Sequence, residues 1–172
     1  MFKLRTFQDN DLQLLDKWLH QRYIEKWFDV PGVCTLDDWL YEAKNRHSEF
    51  KWITYFIALL EDFPVGFCLY YKCKDAKEDW YGDVSLEGTY SIDYLIGEEI
   101  CLGKGIGKRM IAQLAEMIFT HENAKKIIVQ PDKDNAASCN VLLANGFTFD
   151  RTTNIYEITK EDFQKRTVTH GI

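Results

Sequence analysis

Leu102-Gly103-Lys104-Gly105-Ile106-Gly107-Lys108-Arg109 follows an apolar, strand-like run and opens a long amphipathic segment. Three glycines at alternate positions let the backbone approach a ligand without an intervening Cβ, and the N–H groups of a first helical turn are unpaired and free to receive an anion. Lys104, Lys108 and Arg109 concentrate positive charge there, in a chain whose formal net charge is -6. The stretch therefore reads as a pyrophosphate cradle for an anionic cofactor. Taken alone, it reads equally as a glycine-rich turn before an ordinary helix. A Walker loop requires a different gap between its glycines and a Ser or Thr after the lysine. A dinucleotide fingerprint requires a third glycine spacing that Gly103, Gly105 and Gly107 lack.

The sequence downstream completes a pattern. Ile106, Met110, Ile111, Leu114, Ala115, Met117 and Ile118 recur with helical periodicity between Lys104 and Thr120. Lys126-Ile127-Ile128-Val129 is a short buried-strand run. Pro131 to Asn135 is a turn in which Asp134 can cap a helix from Asn135 to Ala144; Asn145-Gly146 stops that helix, and Phe147-Thr148-Phe149 resumes a strand.

Upstream, Phe2 to Thr6 reads as a first strand, and Asp9 or Asn10 can cap a helix with Leu12, Leu15, Trp18 and Leu19 on one face. Thr35-x-x-Asp38 is a capping box for a helix running to about Arg46. Trp52 to Leu59 and Val65 to Tyr71 are β-rich runs separated by Glu61-Asp62-Phe63-Pro64, which predicts an antiparallel hairpin. Lys74 to Glu87 is a long polar, acidic loop, and a loop of that length in a small domain is usually functional or mobile. In Tyr90-Ser91-Ile92-Asp93-Tyr94-Leu95-Ile96, strand alternation sets Asp93 with Ser91 and Leu95, so a carboxylate projects from the middle of an apolar strand shortly before the glycine loop. Asp93 is the candidate catalytic group; a buried structural aspartate is the other reading.

The order strand, glycine loop, helix, strand, Asn-containing helix, Asn-Gly-Phe and strand resembles the GCN5-related N-acetyltransferases (GNAT), with Gly105, Gly107, Asn135 and Gly146-Phe147 at matching positions and Leu102 where Gln or Arg is usual. The resemblance implies an α/β (α+β) fold: a mixed, mostly antiparallel twisted sheet of six or seven strands, flanked by helices and splayed between strands 4 and 5. It implies acetyl-CoA as co-substrate, held by Leu95, Ile96, Leu102, Gly103, Lys104, Gly105, Ile106, Gly107, Lys108 and Asn135. From Ile24 onward, Glu25-Lys26-Trp27-Phe28, Pro64-Val65-Gly66, Trp80-Tyr81 and Ser91-Ile92-Asp93 are similar in order and spacing to the aminoglycoside 6′-N-acetyltransferases. That likeness implies Asp93 as the base beside the acceptor amine. It also implies Trp27, Phe28, Asp79, Trp80, Asp83 and Gln130 as acceptor-site residues. Gln130-Pro131 replaces the family's Asp-Pro, and Leu142 stands where many relatives have a tyrosine proposed to protonate the thiolate. Other acceptors therefore stay open: a siderophore-precursor hydroxylamine, a polyamine or a protein N-terminus. A non-catalytic acyl-CoA sensor is the remaining alternative.

Composition is consistent with this reading. The chain has 172 residues, three prolines, ten glycines, no repeat and no low-complexity tract, which predicts one domain over 1–172. No uncharged apolar run approaches the about eighteen residues of a membrane helix, and Met-Phe-Lys-Leu-Arg lacks a signal peptide's apolar region, so a cytoplasmic location is expected. Five cysteines without a Cys-x-x-Cys pair, and four scattered histidines, predict neither a disulfide framework nor a metal site. The cysteines read as reduced and mostly core; Cys139 as an acetyl-accepting nucleophile lacks a histidine close in sequence to activate it. An excess of acid, 27 Asp and Glu against 21 Lys and Arg, disfavours nucleic acid and suits a cationic small-molecule amine. Trp18, Trp39 and Trp52 read as packing residues. Monomer and homodimer are both compatible with the sequence.

Overall fold

The structure is a computed structural model that describes residues 1–170, with side chains through Arg166; the last two residues of the expected domain and the His170 side chain lie outside the described residues. Seven strands form one sheet in the order β1-β2-β3-β4-β5-β7-β6. The strands are β1 (Phe2–Thr6), β2 (Ile53–Leu60), β3 (Phe63–Lys72), β4 (Thr89–Ile96), β5 (Lys126–Val129), β6 (Thr148–Asp150) and β7 (Ile155–Thr159). The helices are α1 (Leu12–Leu19), α2 (Arg22–Phe28), α3 (Leu36–Lys44), α4 (Cys73–Ala76), α5 (Ile106–His121), α6 (Ala136–Ala144) and α7 (Lys160–His170). This is the mixed, mostly antiparallel sheet flanked by helices that the family resemblance implied. The chain divides into two compact units, Met1–Leu69 with Asp93–Met110, and Tyr70–Ile92 with Ile111–Ile172, the division falling within β3, β4 and α5.

In the first unit, β1 pairs antiparallel with β2 from Phe2↔Leu60 to Thr6↔Phe56. The turn between β2 and β3 is only Glu61-Asp62, both with positive φ (49° and 66°), the left-handed pair that matches the twist of a tight hairpin. The four-residue turn expected from Pro64 is thus shortened by two, and Pro64 falls near the start of β3, where a strand tolerates it. α1 buries Leu15, Trp18 and Leu19 of the face read from its spacing, while Leu12 is half-buried. Its cap differs from expectation: Asp9–Asp11 is a 3₁₀ turn, and the Asp11 carboxylate accepts from Gln8 N at 2.7 Å while gripping both Arg5 guanidinium nitrogens at 2.7 Å. The Thr35 capping box is present, with Asp38 N donating to Thr35 Oγ1 and Thr35 N donating to Asp38 Oδ2.

In the second unit, β4 and β5 pair in parallel at two positions, Thr89↔Lys126 and Tyr90↔Ile127, while β4 continues to Ile96. Pairing confined to the first residues of β4 agrees with the expected splay. β5 pairs antiparallel with β7 from Lys126↔Thr159 to Val129↔Tyr156, and β6 pairs antiparallel with β7. Gly146 has the left-handed φ (86°) expected of a helix stop. Among the described residues, no helix is long and apolar enough to cross a membrane.

Candidate active site

Asp93 lies in β4 between the buried Ile92 and Leu95, and is itself half-buried. That is the exposure required of a carboxylate that meets a substrate arriving from solvent. In the same unit the Tyr55 hydroxyl of β2 is 4% exposed at the residue level and has no hydrogen-bond partner among the described residues. Burial first, then the Glu42 carboxylate and more weakly that of Asp93, push its pKa upward against the opposing Arg46 guanidinium.

The end of β4 is held by its carbonyls. Tyr23 Oη donates to Ile96 O and Gly97 O, both at 3.0 Å, Gln21 Nε2 donates to Gly97 O at 2.7 Å, and Gly97 N donates to Val65 O at 2.9 Å. Burial, with Glu98 and Glu99 nearby, pushes the Tyr23 hydroxyl up to about 12, which keeps it a donor. Gly97 is required by contact: a Cβ there would lie 2.1 Å from the Trp18 ring. Trp18 Nε1 in turn donates to Glu98 Oε1 at 2.8 Å.

After a 3₁₀ turn at Glu99–Cys101, Gly103 and Gly105 adopt φ of 70° and 75°, conformations that L side chains rarely take. Among the described residues nothing lies within 4 Å of where a Cβ would stand on either, so the glycines serve conformation and openness rather than packing. Gly105 O accepts from Arg109 N at 3.2 Å, which makes Gly105 the cap residue of α5. A glycine cap has no side chain to satisfy the first-turn donors, so the N–H groups of Ile106, Gly107 and Lys108 stay available for an external acceptor. Ile106 is buried and anchors the turn, while Lys104 and Lys108 are exposed beside it. Backbone donors and the positive end of the helix dipole lie at the start of α5 with two exposed lysines in the same stretch, a setting that suits an anion.

Of the expected acceptor residues, the first unit carries Trp27 and Phe28 on α2, a helix the sequence reading did not include. Lys26 Nζ sits 4.6 Å from the Trp27 ring centroid, and the Phe28 ring packs against Trp39 at 5.1 Å. The second unit carries Asp79, Trp80 and Asp83 on the loop after α4, with both aspartates exposed and Trp80 half-buried. Glu78 on the same loop was missed. Its Oε2 accepts from Tyr71 Oη at 3.1 Å, Trp80 Nε1 at 2.5 Å and Tyr81 Oη at 3.2 Å. Gln130 is exposed, and its amide donates to Thr153 O at 3.4 Å.

Asn135, not Asp134, caps α6: its side chain accepts from Ser138 N at 3.1 Å, whereas Asp134 N is turned onto Asp132 Oδ1 at 2.8 Å. Leu142 is fully buried and presents no acid. Cys139 departs from the core reading, because it is half-buried next to the exposed Leu143. Its thiol lies against the Tyr156 hydroxyl, which that contact and burial push up to about 12.

The Acetyltransferase (GNAT) domain profile matches residues 8–155. Aminoglycoside N(6′)-acetyltransferases type 1 of Klebsiella pneumoniae and Serratia marcescens are each 26% identical over 145 residues, 84% of this chain and 72% of theirs. The crystal structure of aminoglycoside acetyltransferase AAC(6′)-Ib with coenzyme A is similar at a TM-score of 0.81 and 24% identity, covering 96% of this chain and 98% of that one. Spermidine N-acetyltransferase from Vibrio cholerae, with CoA and spermine, is similar at a TM-score of 0.72 and 17% identity, covering 95% and 98%. At those identities the solved structures speak for the fold. The profile match spans most of the chain, so this protein belongs to the GNAT acetyltransferases and is an acetyl-CoA-dependent N-acetyltransferase.

Proposed function

We propose that the chain transfers the acetyl group of acetyl-CoA to the 6′-amine of an aminoglycoside by direct attack in a ternary complex, with Asp93 as base. The open start of α5 receives the pyrophosphate, and the end of β4 at Leu95 and Ile96 lies along the pantetheine. Support for this acceptor comes from the relatives, which are aminoglycoside N(6′)-acetyltransferases. The observation that carries the chemistry is the half-buried carboxylate of Asp93, on the strand that leads into that helix start.

A primary amine with a pKa of about 10.4 is almost entirely protonated at neutral pH, so removing a proton is part of the barrier. An ordinary aspartate, near about 3.9, is far too acidic to deprotonate a free ammonium in advance. The ammonium gives up a first proton to solvent; Asp93 orients the amine, offsets its desolvation and takes the second proton from the nitrogen as the bond forms. The amine nitrogen attacks the thioester carbon, the N–C bond forms, the C–S bond breaks and the electron pair leaves on sulfur. A thiol pKa of about 8.5 lets sulfur depart as thiolate, which then takes a proton from solvent. The buried Leu142 thus leaves the reaction complete without a tyrosine.

A polyamine acceptor is the second reading. Gln130 in place of an aspartate removes one carboxylate from the aminoglycoside pattern, and the spermidine acetyltransferase shares the fold. Thiol release from acetyl-CoA decides between them. Release with kanamycin but not with a 6′-hydroxyl analogue is the expected result, and release with spermidine alone would replace the aminoglycoside by a polyamine.

A further inference from the structure

The loop after β3 is anchored by a residue outside the expected acceptor set. Three donors converge on Oε2 of Glu78: Tyr71 Oη from the end of β3, and Trp80 Nε1 and Tyr81 Oη from the 3₁₀ turn Asp79–Tyr81. Tyr71 and Tyr81 are 7% and 2% exposed, so two of the three donors belong to the packed body of their unit. Trp80 is half-buried and alone among them retains surface for a ligand. The Tyr81 ring meets it at 4.5 Å and 62°, edge to face, closing off its other freedom.

An indole has one donor and no acceptor. With that donor committed to a carboxylate, Trp80 cannot hydrogen-bond a hydroxyl of the acceptor, and only its ring face remains for recognition. A charge-assisted bond at the ring nitrogen also shifts electron density into the ring, which strengthens its attraction for a cation. We propose that Glu78 is a positioning residue for the acceptor, acting through Trp80 by fixing the indole so that its face receives an ammonium group of the acceptor. This rests on the reading that Trp80 lines the acceptor site.

The test is a double-mutant cycle read in steady-state KM and kcat, with kanamycin as acceptor, or spermidine where kanamycin is not turned over. Trp80→Ala is expected to raise acceptor KM about tenfold with kcat and acetyl-CoA KM little changed, the scale of a lost cation–π contact. Glu78→Ala is expected to raise acceptor KM several-fold, and the double variant to match Trp80→Ala, because one residue acts through the other. Glu78→Gln keeps an acceptor oxygen and should restore most of the affinity, which also separates positioning from failure to fold. An unchanged KM in Glu78→Ala, or effects that multiply in the double variant, overturns the proposal alone. An unchanged KM in Trp80→Ala overturns it together with the acceptor-wall reading.

Discussion

Gly103 and Gly105 shape the loop before α5 through backbone conformation alone, whereas the loop after α4 is held by one carboxylate and three aromatic donors. The difference follows from what each would bind. A diphosphate presents oxygens in a fixed arrangement and is matched by main-chain N–H groups, which any sequence supplies once glycine permits the turn. An acceptor that presents rings and ammonium groups needs side chains at set angles, and those need side-chain anchors. Changes in the first loop should therefore act on cofactor kinetics and changes in the second on acceptor kinetics.

The largest effect on the cofactor side is expected from Gly97→Ala. Its Cβ would enter the Trp18 ring, so α1 or the end of β4 must move, at a cost of about 2–3 kcal/mol by thermal or urea unfolding. Acetyl-CoA KM should rise in parallel, because the displaced strand leads into the cradle. Gly105→Ala meets no steric block, and only its positive φ is penalised. A loss of about 1 kcal/mol in stability and a rise of about fivefold in acetyl-CoA KM are expected, with acceptor KM unchanged. A smaller effect is expected from Tyr71→Phe, which removes one donor from Glu78 and should cost about 0.5–1 kcal/mol. There the acceptor KM should move by about twofold and the acetyl-CoA KM should not. If Gly105→Ala and Tyr71→Phe shifted the same KM, the two loops would not be separable.

The contrast also explains which parts were legible in the sequence. The glycine loop, the Thr35–Asp38 box and the β2–β3 hairpin depend on local backbone chemistry, and each was visible at its own residues. The fold class followed from their order and the family resemblance. α2 (Arg22–Phe28) was missed because it is one short helix whose start at Gln21 carries no side-chain cap. α7 was missed because its composition is polar; its aromatic contact, Phe163 with Phe119 at 5.3 Å, joins residues far apart in sequence. The cap of α6 was placed one residue early because Asp134 and Asn135 are both good caps, and Asp132 decides between them by engaging Asp134 N. Asp93 was visible as a carboxylate in an apolar strand. Glu78 was not, since nothing in a polar, acidic loop distinguishes one glutamate until Tyr71 and Tyr81 are brought to it by the fold.

Whether Asp93 takes the amine proton during acetyl transfer is read from single-turnover kinetics of Asp93→Asn. With enzyme in excess over acetyl-CoA and saturating kanamycin, the substitution should slow thiol release by about a hundred- to ten-thousandfold while leaving acetyl-CoA affinity nearly unchanged. A rate within a few-fold of wild type would remove Asp93 from the chemical step.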